Sequence, residues 1–174
     1  MATSAANVVV GITGAAYVGL TTATAPTSSS SALTGFNDLG YLSQDGIEVS
    51  SDMNTSAIRA WQNSELVRES VTESTLTYKF TLLETTAETV KLYFGSAATS
   101  SKVSYNPSAT GGRKSFVFDI VDGSTTVRHY VPTGEVMKVE PIAVKNGEPV
   151  SYGITVVAYA LNGRCADVFF SALS

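Results

Sequence analysis

Hydrophobic and polar residues alternate most regularly over residues 75–82. The apolar positions are Leu76, Tyr78, Phe80 and Leu82. A period of two is typical of a β-strand with one buried face. Upstream, Val67 and Val71 fall on odd positions, so the apolar phase is reversed there. Because a period of two cannot change phase within a regular strand, we predict a β-bulge or a bend near residues 72–75.

The pattern changes to that of a helix after Leu83. Thr85 and Glu88 have the T-x-x-E spacing of a capping box, and Gly95 is suited to the C-terminal cap. Apolar residues between them recur on one side of the predicted helix. We therefore predict one short helix, at about residues 85–95, that covers part of a sheet.

Short apolar runs separated by turn signals fill most of the remaining sequence. The turn pairs are Asp45-Gly46, Asp122-Gly123, Asn146-Gly147 and Asn162-Gly163. Pro132 predicts the end of one strand, because proline has no N–H for the sheet. The expected fold is mainly β, a β-sandwich or partly closed barrel of eight or nine strands with one flanking α-helix.

Two segments interrupt the predicted strands of what we expect to be a single domain over residues 1–174. The first is a flexible, low-complexity region made of an N-terminal arm (residues 1–7) and a Ser-rich loop (residues 20–37). The second is an extended inter-strand loop at about residues 51–66, which carries the only tryptophan, Trp61. A tryptophan in a polar segment either packs on its own core or binds a partner, and composition does not decide between them.

Composition narrows the class of protein. Hydrophobic residues make up 44% of the chain, which supports a substantial core, and only 15% of residues are charged. The net charge is −4, which argues against a module that grips nucleic acid. Residues 38–88 hold nine acidic and three basic residues, so the negative charge is concentrated there. The N-terminus has neither a basic region nor an unbroken apolar run, so we expect no membrane insertion by this chain.

Catalytic and metal-binding patterns are missing from the sequence. The single cysteine, Cys165, excludes an internal disulfide and cysteine metal clusters. The single histidine, His129, lies between Val127 and Val131 and is expected to be a half-buried structural residue rather than part of a catalytic triad. No phosphate-binding loop or metal-ligand motif occurs. We therefore expect a structural or binding protein that is not an enzyme and needs no cofactor or metal.

Four segments carry a resemblance to a known family. They are Ala16 to Gly19 (AYVG), Phe36 to Gly46 (FNDLGYLSQDG), Ile58 to Trp61 (IRAW) and Val71 to Gly95 (VTESTLTYKFTLLETTAETVKLYFG). In this order the sequence resembles the major tail protein, or tail tube subunit, of siphophages, in the branch common among phages of actinobacteria. The resemblance covers roughly residues 15–170 and is weaker in the C-terminal strands.

The resemblance implies a structural virion protein that assembles with itself. Homohexameric rings would stack into a non-contractile tail tube, which encloses the tape measure protein and conducts DNA during ejection. The implied partners also include tail terminator and tail-tip proteins, and DNA would pass without specific binding. The implied location is the phage tail, after assembly in the cytoplasm of the bacterial host.

The resemblance also suggests where contacts between subunits or rings lie. The candidate interface residues are Ile58, Arg59, Trp61, Leu66, Val67, Arg68 and Val71. Residues 66–71 are expected to reach a neighbouring subunit, whereas the strand and helix that follow pack in the subunit's own core. The candidate acidic residues of the tube lumen are Glu48, Glu69 and Glu73. Of these, Glu69 and Glu73 are expected to share a strand face, because they lie four positions apart, an even number.

Two other functions compete with the tail tube interpretation. A carbohydrate-binding or adhesive β-sandwich would need several exposed aromatic residues on one face, and Trp61 alone does not supply them. A tube protein of a related secretion or contractile system would share the architecture. Rings or tubes of the purified protein would separate the assembling classes from a glycan-binding module.

Overall fold

The computed structural model describes residues 8–99 and 101–171, which form eight strands and one helix. The N-terminal arm predicted at residues 1–7 lies outside the described residues. The elements are β1 (Thr13–Gly19), β2 (Phe36–Asp38), β3 (Leu42–Arg59), β4 (Leu66–Leu82), α1 (Ala87–Phe94), β5 (Lys114–Asp122), β6 (Thr125–Val139), β7 (Tyr152–Ala158) and β8 (Asp167–Phe170). The prediction of a mainly β fold with one helix is confirmed.

All eight strands belong to one antiparallel sheet. Their order is β2-β1-β5-β6-β7-β4-β3, and β8 pairs with β6 beside β7. The two end strands of this order, β2 and β3, are joined by residues 39–41 alone. The four Cα–Cα steps from Asp38 to Leu42 span at most about 15 Å. The sheet must therefore curl until its two ends approach each other. The Leu39 N–H donates to Ala16 O and the Leu83 N–H donates to Tyr41 O, each at 2.9 Å.

The core lies inside the curled sheet. Tyr78 of β4 stacks on Phe118 of β5 with ring centroids 4.8 Å apart, although two other strands separate β4 from β5 in the sheet. Phe80 meets the same Phe118 ring edge-on at 5.3 Å. Leu39, in the connection between the sheet ends, is fully buried. The alternating residues predicted to form a core face in β4 therefore do so.

Helix α1 covers one end of this core through Thr89 and Leu92, its two buried residues. Gly95 ends the helix in the left-handed conformation, as predicted. The N-terminal cap is Thr86 rather than Thr85, since the Thr86 hydroxyl accepts from the Thr89 N–H at 3.1 Å. The Thr85 hydroxyl instead lies 3.1 Å from the hydroxyl of Tyr152, which takes it out of the predicted capping box.

The Ser-rich segment packs on the outer face of the sheet, although its composition predicts a flexible loop. Arg128 of β6 forms a two-pronged ion pair with Asp119 of β5, with both N–O distances at 2.7 Å and both residues buried. The Arg128 Nη1 also donates to the carbonyl oxygens of Ser28 and Ser31. These bonds, with Ser29 buried between them, hold the loop as a partial second layer.

The turn pair Asp45-Gly46 and the predicted strand end at Pro132 both mark bulges within strands. Asp45-Gly46 belongs to an excursion within β3, because residues 43–46 are inserted between the paired positions Leu42 and Ile47. The aspartate–glycine pair permits the positive φ of Gly46, which a bulge needs as much as a hairpin does. Pro132 lies at a register shift within β6, where a sheet N–H is not needed, so the strand continues through it.

The predicted inter-strand loop at residues 51–66 is wrong. Residues 51–59 continue β3, only residues 60–65 form a turn, and β4 begins at Leu66. The strand was missed because a segment without a core-facing side lacks the apolar alternation by which a strand is recognised. In its place the chain forms one long β-hairpin.

Candidate assembly interface

Residues 51–75 form a two-stranded β-ribbon that extends away from the body of the sheet. Within it β3 and β4 pair only with each other, because β4 pairs with β7 from Leu76 onward. Nine residues of β3 at about 3.4 Å each give the ribbon a length of about 30 Å. Every residue of this ribbon is exposed except Ala60, which is half-buried. An isolated two-stranded hairpin is marginally stable in water, so a ribbon of this length is suited to packing against a partner.

The predicted bulge is confirmed, at Thr72. Asn54 pairs with Glu73 and Thr55 pairs with Val71, so Thr72 is the extra residue of β4. The Thr72 hydroxyl donates to the Asn54 carbonyl oxygen at 3.0 Å, which holds the bulge closed. A second register shift leaves Val67 as an extra residue between Arg68 and Leu66.

The two bulges place three large apolar side chains of the ribbon on one face. Paired residues share a face and side chains alternate along each strand. By this register Met53, Val71 and Leu66 lie on the face that continues the core side of Tyr78. This face, here called the apolar face, also carries Glu69 and Arg59. The opposite face carries polar pairs, such as Asn54 with Glu73. The exposed apolar face is therefore a direct extension of the hydrophobic core, with nothing from its own subunit covering it among the described residues.

The tip of the ribbon, residues 60–65, presents Trp61. The Ala60 N–H donates to the Glu65 carbonyl oxygen at 2.8 Å, and Asn63 and Ser64 take the positive φ angles of the turn. Arg59 Nη1 donates to the Ser64 carbonyl oxygen at 3.1 Å and so supports the turn from below. The Trp61 residue is 98% exposed. Of the two interpretations left open by the sequence, packing on its own core is excluded.

The structure brings all seven predicted interface residues together on the ribbon, although it does not test their role. Ile58 and Arg68 are paired on the polar face, and Arg59 and Leu66 are paired on the apolar face. Met53 was missed by the sequence-based prediction. It shares the apolar face with Val71 and is 66% exposed, and an isolated methionine in a polar segment was the only signal that could have indicated it.

The three predicted acidic residues do not form one surface. The bulge at Thr72 places Glu69 and Glu73 on opposite faces, which corrects the expectation that they share one. Glu69 accepts a hydrogen bond from the Thr55 hydroxyl at 2.6 Å, and Glu73 accepts one from the Asn54 side-chain amide at 3.1 Å. Glu48 lies opposite Lys79, nearer the body of the sheet. All three side chains are exposed.

The ribbon leaves the body at a rigid aromatic cluster. Tyr78, three residues from the ribbon, stacks on Phe118, and burial raises the pKa of its hydroxyl to about 12. That hydroxyl lies 3.3 Å from Nδ1 of His129, whose pKa burial lowers. The two groups are therefore neutral at physiological pH, and the base of the ribbon is fixed by packing rather than by charge.

Among residues 8–99 and 101–171, no group of histidine, cysteine, aspartate and glutamate side chains is arranged to hold a metal ion. Nor does this part of the chain contain a helix with the length and apolar character that crossing a membrane requires.

A long ribbon with exposed apolar side chains, carried by a curled β-sheet, is typical of a protein that assembles with copies of itself or with other chains. Comparison with known proteins identifies the family to which the chain belongs. The sequence model of the phage tail tube protein family matches residues 1–169, and the chain belongs to this family. It is accordingly a structural, non-enzymatic protein of the phage virion tail.

Among solved structures, the chain is similar to a chain described as "Virion of native gene transfer agent (GTA) particle", at 10% sequence identity and a TM-score of 0.40. That alignment covers 79% of this chain and 89% of the other. No curated protein matches the sequence.

Proposed function

We propose that this chain is the tail tube subunit of a siphophage of the type found among phages of actinobacteria. Homohexameric rings of the subunit stack into a non-contractile tube, which encloses the tape measure protein and conducts DNA during ejection. Family membership supports the tail tube, and the finer assignment rests on the sequence resemblance described above. Tail terminator and tail-tip proteins close the two ends of the tube.

The observation that carries the proposal is the ribbon. An apolar face formed by Met53, Val71 and Leu66, together with the 98% exposed Trp61, would be a liability in a protein that stays monomeric. Contact between subunits removes this surface from water. The seven residues Ile58, Arg59, Trp61, Leu66, Val67, Arg68 and Val71 are accordingly proposed to contact a neighbouring subunit or ring.

Charge supports the proposed conduit. DNA must slide through a tail tube, and basic contacts to its phosphates would hold it by releasing counterions. The chain has a net charge of −4, and residues 38–88 are its most acidic part. Glu48, Glu69 and Glu73 remain candidates for the lumen. Because Glu69 and Glu73 lie on opposite ribbon faces, at most one of this pair points into it from a given ribbon.

Electron microscopy of the purified protein tests the proposal. Negative-stain images over a range of protein concentration should contain six-fold rings that give way to hollow tubes. Monodisperse monomers at every concentration, or rings of another order, would contradict it. Contractile sheath partners in the source genome would favour the related contractile tube instead.

A further inference from the structure

A groove lies at the other end of β3 from the ribbon tip. It has a volume of about 780 Å³ and separates the start of β1 from the start of β3. We call it the β1–β3 groove. Its lining includes Ile12, Asp38, Tyr41, Asp45, Ile47 and Glu84. The excursion of residues 43–46, which the sequence presents as a turn signal, forms one wall.

The β1–β3 groove combines exposed apolar side chains with uncompensated negative charge. Ile12 is 70% and Tyr41 is 76% exposed. Three carboxylates line the groove, from Asp38, Asp45 and Glu84, and no lysine or arginine does. None of these carboxylates takes part in the ion pairs found among the described residues.

Two of the carboxylates are held in place by the backbone. The Gly40 N–H donates to Asp38 Oδ1 at 2.8 Å, and the Tyr41 N–H donates to Glu84 Oε1 at 2.9 Å. Gly40 has a φ of +81°, and a Cβ there would lie 2.5 Å from the Glu84 carboxyl carbon. Only glycine therefore allows Glu84 to reach this position, so the negative charge of the groove is fixed before any partner arrives.

The ribbon tip has the complementary chemistry. Trp61 supplies a large exposed aromatic surface, and Arg59 and Arg68 place two positive charges close to it. Neither arginine forms an ion pair with a carboxylate in the part of the chain that the structure describes. The tip therefore supplies the positive charge that the groove lacks. Aromatic and arginine side chains are also the residues that most often dominate the binding energy of protein interfaces.

A subunit cannot fill its own groove. The groove lies beside Ile47 and the tip follows Arg59, at opposite ends of the same extended strand. Twelve residues at about 3.4 Å each separate them by about 40 Å. The tip can meet a groove of this kind only on another copy of the chain.

We propose that the ribbon tip of one subunit binds in the β1–β3 groove of the next. Trp61 packs against Ile12 and Tyr41. Arg59 and Arg68, on opposite faces of the ribbon, reach different carboxylates among Asp38, Asp45 and Glu84. Because tip and groove are different surfaces, the contact is head-to-tail, and its repetition from copy to copy gives a ring or a filament according to the rotation between copies. The inference rests on the proposed function, to which it adds the surface that receives the ribbon.

A charge exchange tests the contact. Asp45→Arg and Arg68→Glu each place like charges together, and each should raise the concentration needed for tube formation at least about tenfold. The double variant restores an opposite pair and should recover most of the loss. Glu148→Arg, at an exposed turn away from both surfaces, is the control. Single variants that assemble like wild type, or a double variant no better than either single one, would overturn the proposal.

Cross-linking provides a second measurement that does not depend on tube formation. Gln62→Cys at the tip and Gln44→Cys in the groove leave the proposed anchors intact. A short bismaleimide should join the two variants when they are mixed, giving a covalent dimer. Gln62→Cys mixed with Ser124→Cys, on the turn after β5, should give no more than the background from Cys165, which every sample shares.

The two failures are distinguishable. If wild-type protein forms tubes but the dimer yield with Gln44→Cys equals that with Ser124→Cys, the tip binds elsewhere and only the groove assignment is overturned. If wild-type protein forms neither rings nor tubes, the proposed function fails and the groove contact fails with it.

Discussion

Trp61 is the residue on which the assembly proposal depends most. Its side chain touches almost nothing in its own subunit, so Trp61→Ala should leave the free energy of unfolding within about 0.5 kcal/mol of wild type. If it is an interface anchor, its loss weakens each contact by about 2 kcal/mol or more, roughly a 30-fold rise in the concentration needed for assembly. Sedimentation over a concentration series measures this.

Val144→Ala is a suitable control, because Val144 is also exposed but lies outside the ribbon. It should change neither stability nor assembly. A lower melting temperature for Trp61→Ala, with unchanged assembly per folded molecule, would contradict the role given to Trp61.

Arg128 is the residue that most tightly joins the Ser-rich loop to the sheet. Arg128→Met leaves Asp119 buried without its partner, which should lower the free energy of unfolding by about 3–5 kcal/mol in denaturant titrations. Arg164→Met removes a solvent-exposed ion pair with Asp167 and should change the free energy of unfolding by at most about 1 kcal/mol. Equal effects of the two substitutions would show that the buried pair is not what holds this region.

His129 makes stability depend on pH. Burial lowers the pKa of His129 below the 6.5 of an unfolded chain. As the pH falls, the His129 imidazole therefore gains its proton in the unfolded chain before it does so in the folded one. The free energy of unfolding should therefore be constant above about pH 7 and fall as the pH drops below 6.5. Since the chain has no other histidine, His129→Gln should remove this dependence between pH 7.5 and 5.5. If the free energy of unfolding of the variant still depends on pH in that range, groups other than His129 cause the dependence.

The ribbon is the element whose register decides which residues face a partner. Val71→Glu places a charge on the face that Val71 shares with Met53, whereas Ser70→Glu places the same charge on the opposite face. Tube formation should be lost with Val71→Glu, because contact with a partner would bury an unpaired charge, and should be kept with Ser70→Glu. Both substitutions lie in the exposed ribbon, so the body of the domain should keep its melting temperature. Assembly by Val71→Glu would show that the face of Val71 is unimportant.

The sequence predicted those elements whose side chains meet a core. Tyr78 and Phe80 alternate because one face of β4 is buried, and Gly95 is recognisable because a left-handed cap requires glycine. The reversal of phase at Val71 correctly indicated a bulge. The reversal could be recognised because β4 carries apolar residues on both sides of the bulge.

What the sequence could not predict depends on long-range contacts or on a partner. Residues 51–59 pair with β4 but face no core, so their composition resembles that of a loop. Leu39 joins two strands that are consecutive in sequence but lie at opposite ends of the strand order. That order depends on pairings between distant strands, such as β1 with β5, which no local pattern predicts. Arg128 and Asp119 are nine positions apart and belong to different strands, which leaves their pairing invisible without the sheet register.

At the scale of the whole molecule, the chain is a curled β-sheet body with a ribbon that takes no part in its core. The body buries Tyr78, Phe80 and Phe118 and holds its own Ser-rich loop. The ribbon instead presents Met53, Val71 and Leu66 on an exposed face about 30 Å long. Family membership explains why such a surface is present, since a tail tube exists only as an assembly.

The most direct test removes the ribbon and leaves the body. Replacing residues 53–74 by Asn-Gly joins the paired residues Asp52 and Thr75 through a two-residue hairpin turn. Electron microscopy and sedimentation of this variant should show only folded monomers at concentrations where wild-type protein forms rings and tubes. Tubes formed by the shortened variant at wild-type concentrations would contradict the claim that the ribbon drives assembly.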